Sequence, residues 1–157
     1  MSDLRLEGDD SNLMVSFEDG DVLFSEGEKS DCFYILSSGV VRTFKENGRE
    51  LIPISRLSDG DLVGEDSVFS QSNRTLSAIC TMPTTAFRID ANDVHKVLKN
   101  SSDWIGNIMV TLADRLADIY SLIEEHRIIS DENGVNLELT SEETVKFRKI
   151  LDHYSKY

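Results

Sequence analysis

Between Leu13 and about Ile89, short apolar runs alternate with glycine or polar turns, and this limits the first half of the chain to β-structure. The runs are Leu13–Phe17, Asp21–Phe24, Cys32–Leu36, Val40–Phe44, Leu51–Ile54, Leu76–Thr81 and Thr85–Ile89. Gly20, Gly27, Gly39, Gly48 and Gly60 punctuate them. Many short strands at this spacing predict an all-β sandwich or barrel such as a jelly roll.

After Ile89 the period changes. Asp90 can cap a short helix from Ala91 to about Lys99, with Asp93 well placed in its first turn. A longer helix is expected from about Asp103 to Ile128. Its residues Ile105, Met109, Leu112, Leu116, Ile119 and Ile123 step alternately by four and three, a heptad seam. Ile108, Tyr120 and Leu122 widen that apolar surface. One face is therefore expected to cover the β-domain, and another, within residues 105–123, to meet a second copy in a homodimer. Asp131-Glu-Asn-Gly134 should break this helix. Thr140-Ser-Glu-Glu143 then reads as a capping box opening a last amphipathic helix, with Phe147, Ile150, Leu151 and Tyr154 on one face.

The expected organisation is a flexible lead-in over 1–12, a β-roll with its helices over 13–130, and a linker with a terminal helix over 131–157. A chain of 157 residues suits one domain with a real core. No run approaches a membrane span, and Met1-Ser-Asp-Leu-Arg-Leu-Glu7 lacks a signal peptide's apolar segment, so the expected location is cytoplasmic. Cys32 and Cys80 stand apart in apolar runs and are expected to be buried and reduced.

The net charge of −13 argues against DNA binding by this chain, since polyphosphate binding needs a basic face. Only 27 residues follow Ser130, too few for a winged-helix domain. His95, His126 and His153 lie outside the β-region, so no histidine metal site is expected in it, although haem held by a lone histidine stays open. No GxSxG, HExxH or P-loop occurs, and no catalytic residue, and so no enzyme, is expected.

The stretch Leu57–Ser77 carries the chemistry. Gly64 permits a backbone conformation, and a close approach, that a Cβ forbids. Glu65 as a carboxylate only accepts hydrogen bonds and suits sugar hydroxyls. Arg74 offers a rigid fork of donors that suits a phosphate. Read alone, the stretch fits either a pocket for a small phosphorylated sugar or a surface turn whose Glu65 and Arg74 face solvent or pair with each other.

Four ordered motifs narrow this. They are Phe17-Glu-Asp-Gly-Asp-Val-Leu-Phe-Ser-Glu-Gly27, Asp31-Cys-Phe-Tyr-Ile-Leu-Ser-Ser-Gly39, Leu57-Ser-Asp-Gly-Asp-Leu-Val-Gly-Glu65 and Asn73-Arg-Thr-Leu-Ser77. In that order, over residues 13 to about 128, the chain resembles the cyclic-nucleotide-binding domain of the catabolite activator protein, the protein kinase A regulatory subunits and cyclic-nucleotide-gated channels. The resemblance implies a mainly β fold: a jelly roll (a cupin-like double-stranded β-helix) followed by a short helix, a long lid or dimerisation helix and a final short helix.

It also implies the ligand, cAMP or cGMP, and no other cofactor. Gly64, Glu65, Asp66, Ser67, Arg74 and Thr75 would form the phosphate cassette. Glu65 would accept from the ribose 2′-hydroxyl, and Arg74 would hold the cyclic phosphate with backbone N–H groups near Glu65. Thr75 permits cGMP without requiring it. Tyr120 and Ser121 of the long helix are the candidate base contacts. A stand-alone sensor of this kind would relay occupancy through its C-terminal helices to a dimer mate or a separate effector protein.

Three positions depart from the family pattern. Asp66 replaces an apolar residue and adds negative charge beside the phosphate site. Leu76 replaces a small residue and is expected to narrow the pocket, and Asn73 replaces a frequent proline. These departures, and the lack of an output domain, motivate a second reading: a ligand-free, degenerate domain serving as a dimerisation module. Leu116→Glu is its sequence-based test.

Overall fold

In the computed structural model, which describes residues 13–126 and 137–157, the β-region forms two four-stranded antiparallel sheets. One runs in the order β1 (Met14–Phe17), β8 (Thr84–Asp90), β3 (Cys32–Ser38) and β6 (Leu62–Val63). The other runs β2 (Val22–Phe24), β7 (Ser77–Cys80), β4 (Val41–Asn47) and β5 (Glu50–Leu57). Helix α1 (Glu65–Phe69) interrupts the roll between β6 and β7, and α2 (Ala91–Lys99), α3 (Asp103–His126) and α4 (Ser141–Tyr154) follow it. This is the jelly roll with C-terminal helices that the sequence led us to expect.

The main core lies between the sheets, where Leu23 and Phe24 of β2, Tyr34 and Leu36 of β3, Val41 of β4, Val63 of β6, and Ala78 and Cys80 of β7 pack together. Cys32 and Cys80 are buried free thiols, as expected. Several strands are apolar on both faces because helices cover their outer sides. Phe33 packs with Val68 of α1 and Ala91 of α2, while Phe44 and Ile79 pack with Phe147 and Leu151 of α4. Gly39, at φ +101°, closes the β3–β4 turn against Pro83 and Thr84; a Cβ there would lie 2.6 Å from Thr84 Cα.

The helix signals hold in detail. Asp90 caps α2 by accepting from the Asn92 N–H at 2.8 Å. Thr140 and Glu143 form the reciprocal capping box of α4, at 2.9 and 3.1 Å. The terminal helix docks on the roll: Phe147 and Leu151 are 4% and 1% exposed, and full burial of a side chain of that size contributes about 1.5–3 kcal/mol. Two elements were not anticipated, β6 and α1. The first is two residues long, and the second begins at a left-handed Gly64 with no side-chain cap.

The apolar side chains of α3 divide between two surroundings. Leu116, Tyr120 and Ile123 turn toward the roll, whereas Trp104, Ile108, Leu112, Ile119 and Leu122 are exposed apolar side chains. The expected lead-in over 1–12 and the helix break at 131–134 lie outside the described residues. Among the described residues, no helix is long and apolar enough to cross a membrane.

Candidate ligand-binding site

The β6–α1 turn is held in place by β-pairing. Tyr34 and Ile35 of β3 register with Val63 and Leu62 of β6. The chain then reverses at Gly64 (φ +82°) and starts α1 at Glu65. The result is a cavity of about 800 Å³, lined by residues 60–67, by Arg74, Thr75 and Leu76, and by Phe24, Thr43 and Ser55 of the roll. Leu116, Ile119, Tyr120 and Ile123 of α3 form its opposite wall. Its volume falls within the range that encloses a small organic ligand.

Arg74 is the buried cation of this cavity, 4% exposed. Nη1 donates to the Gly64 carbonyl at 3.1 Å and to Ser67 Oγ at 3.3 Å, and Nη2 donates to the Cys32 carbonyl at 2.6 Å. The guanidinium lies 4.1 Å over the Phe24 ring. The nearest acid is Asp31, 4.0 Å away and largely exposed. Nε is buried without a hydrogen-bond partner. A buried cation satisfied mainly by neutral acceptors keeps most of its charge available to an anion.

The acids take different positions. Glu65 is half-buried in the cavity wall; burial raises its pKa, its own backbone N–H lowers it, and the charges of Asp66 and Asp61 raise it further. Asp66 is buried and accepts from Thr75 Oγ1 at 2.5 Å. The Asp66 carboxylate is thus engaged by its neighbour rather than free in the cavity, and Thr75 spends its proton on it. Ser67 Oγ donates to the Gly64 carbonyl at 3.2 Å and lies 2.9 Å from Ser30 Oγ.

All six residues named from the cassette therefore line one cavity, and Tyr120 faces them from α3. Burial raises the Tyr120 pKa, and the charges of Glu65 and Asp66 add to it. Ser121 does not join them. One residue further along the helix, it is exposed and donates back to the Ala117 carbonyl at 3.2 Å. Leu76 carries its bulk into a cluster with Ile52 and Ile54, against which Tyr120 and Ile123 pack. It thereby seats the helical wall.

Sequence reasoning missed Phe24 and Cys32 as partners of Arg74. Phe24 reads as an ordinary strand residue, and Cys32 contributes chiefly its backbone carbonyl, which no side-chain pattern encodes. Thr43 and Ser55, whose hydroxyls lie 2.6 Å apart in the cavity lining, carried no signal either. Among the described residues, no group of three or more His, Cys, Asp or Glu side chains is placed to hold a metal ion.

Comparison with known proteins matches residues 14–101 to the family model described as "Cyclic nucleotide-binding domain". A CRP-like cAMP-activated global transcriptional regulator of Mycobacterium tuberculosis is 30% identical over 104 residues, covering 65% of this chain and 46% of the relative. The chain spans about half the length of the curated relatives it matches. The cGMP-bound form of the EAL enzyme Bd1971 superposes with a TM-score of 0.61 at 25% identity, covering 66% of this chain and 28% of that one. The catabolite activator protein of Thermus thermophilus gives a TM-score of 0.58 at 23% identity, over 73% and 54% of the two chains.

Proposed function

This chain belongs to the cyclic-nucleotide-binding domain family, and from that premise we propose that it is a regulatory module binding cAMP or cGMP in the cavity between Arg74 and Tyr120. The observation that carries this reading is the joint placement of Glu65 and Arg74 in the lining of one cavity of about 800 Å³. Each end of a cyclic nucleotide finds its chemistry there. The cyclic phosphate is an anion of one charge and sits against the Arg74 guanidinium, which gives up one of its carbonyl or hydroxyl partners for it. Glu65 accepts from the ribose 2′-hydroxyl. The base lies against Tyr120 and the apolar side chains of α3.

Occupancy reaches the rest of the molecule through α3. A ligand in contact with Tyr120 favours the helix position that closes on it, and a change in helix position needs no more than that preference. The exposed stripe of Trp104, Ile108, Leu112 and Leu122 on the same helix is the surface offered to a second copy or a separate effector protein. A cytoplasmic location fits this role. Calorimetric titration with cAMP and with cGMP tests the reading. Heat of binding with at least one of them supports it; none with either at millimolar ligand overturns it.

One observation favours the second reading, a ligand-free dimerisation module. Both terminal nitrogens of Arg74 already have protein acceptors, so the residue has a structural task without any ligand. A stable dimer that ignores both nucleotides would establish that reading.

A further inference from the structure

We infer that α4 positions the Arg74 loop from behind, so that docking of this helix and occupancy of the cavity are coupled, with Tyr154 as the positioning residue. The identity of the ligand rests on the function proposed above; the coupling itself does not.

The segment between β2 and β3, residues 25–31, lies between α4 and the cavity. Toward the cavity it grips Arg74 by its backbone: Gly27 N–H donates to the Arg74 carbonyl and Arg74 N–H donates to the Glu28 carbonyl, each at 2.8 Å. Three residues on, the Ser30 and Ser67 hydroxyls meet at 2.9 Å. The same short segment therefore fixes the backbone of the buried cation and the first turn of α1.

On its other side α4 holds that segment at two points. Tyr154 Oη donates to Glu28 Oε2 at 3.1 Å, joining residues 126 positions apart. Arg148 Nη1 lies 2.9 Å from Glu46 Oε1. The second oxygen of Glu46 accepts from Ser77 Oγ at 3.2 Å, and Ser77 Oγ accepts from Glu26 N–H at 2.9 Å. One tie ends at the start of the segment and the other at its middle.

The helix itself is anchored by packing, through Phe147 and Leu151 against Phe44, Leu51 and Ile79. By contrast Gly27 and Lys29 are exposed and Glu28 is half-buried. A segment so poor in apolar anchors takes its position from its polar ties. Burial, helped by the hydrogen bond to Glu28, pushes the Tyr154 pKa up to about 12, so the hydroxyl keeps its proton at neutral pH. A ligand that draws on Arg74 pulls on Glu28, and a helix that holds Glu28 biases Arg74. The two effects are equal in free energy, because linkage between sites is reciprocal.

Tyr154→Phe removes one hydroxyl and leaves the apolar packing of α4 intact. In the full chain without ligand, hydrogen exchange at the Arg74 amide should quicken by about tenfold or more, as expected when a hydrogen bond to a charged acceptor is lost behind it. Exchange in β4 and β7 should stay unchanged. Titration with cAMP and cGMP should then give binding weaker by roughly three- to tenfold, and adding Glu28→Gln should change little more. Bound nucleotide should also slow exchange across 141–157 in the parent and not in Tyr154→Phe.

Unchanged exchange at Arg74, or a uniform rise across the whole roll, overturns the coupling and leaves α4 a plain structural cap. If the parent binds neither nucleotide, the proposed ligand is wrong, and the ligand-free exchange alone decides the coupling.

Discussion

The guanidinium of Arg74 occupies the space that a side chain at Gly64 would need. A Cβ on Gly64 would stand 2.5 Å from Arg74 Nη1 and 2.9 Å from Phe24 Cε1, while the Gly64 carbonyl accepts a hydrogen bond from that same nitrogen. Gly64 therefore answers two demands at once, a left-handed backbone and a close approach. Gly64→Ala should lower stability by about 1–3 kcal/mol from the backbone conformation alone, and by more once Arg74 is displaced. Urea unfolding, read as a lower midpoint with an unchanged slope, checks this.

Arg74 belongs to the fold as well as to the site, and its substitutions must be read accordingly. Arg74→Ala takes the side-chain donor from the Cys32 carbonyl and leaves the Gly64 carbonyl with Ser67 Oγ alone, at about 1–3 kcal/mol for a buried group left unpaired. Loss of nucleotide binding in that variant would mix unfolding with recognition. Arg74→Lys keeps the charge but not the fork. It should weaken binding by roughly tenfold or more, the measure of one charge-assisted contact, while the protein still melts cooperatively.

On the function proposed above, Glu65 places recognition and stability in opposition. Burial and the charges of Asp66 and Asp61 raise its pKa in the folded chain above the ordinary value of 4.5. The folded state thus binds this proton more tightly than the unfolded chain. The stability it contributes is fully present below pH 4.5 and is lost as pH rises through the raised folded-state value. Glu65→Gln should melt higher than the parent near pH 7.5, with the difference shrinking as pH falls toward 4.5. The same variant should bind cyclic nucleotide roughly tenfold more weakly, because a charged acceptor for the ribose hydroxyl is lost.

A substitution can reach the surface of α3 that would meet a second copy without touching a residue that lines the cavity. Leu116 lines the cavity, so Leu116→Glu would disturb the site and the association together. Leu112 is 49% exposed and absent from the cavity lining. Leu112→Glu should convert a dimer to monomer in sedimentation equilibrium while leaving the melting temperature of the monomer within a few degrees of the parent. A parent that sediments as a monomer at every concentration would instead point to a separate effector for this surface.

Much of this was legible because local chemistry decided it. Asp90 before Ala91, and Thr140 three residues before Glu143, mark helix starts by the hydrogen bonds those side chains make. The runs around Phe33, Phe44 and Ile79 read as strands even though both of their faces are covered. Helix register was harder. Tyr120 and Ser121 are neighbours in sequence but lie about 100° apart around a helix, and only contact with Leu76 and its cluster fixes which one turns inward. The heptad of α3 announced an apolar surface wide enough for two neighbours, but only contacts with the roll divide its residues into a covered and an exposed set. What the sequence could not display was the surroundings of Arg74. Two of its acceptors are the carbonyls of Cys32 and Gly64, and backbone groups carry no residue label.

The two rows of α3 come within reach of each other at Ile119, which both borders the cavity and is half open to solvent. A helix built this way cannot settle against a ligand without altering the area it leaves for a second copy. If that copy is the partner, ligand affinity ceases to be a fixed property of the chain and varies with how much of the chain is present. The abundance of the protein would then set the nucleotide concentration to which it responds.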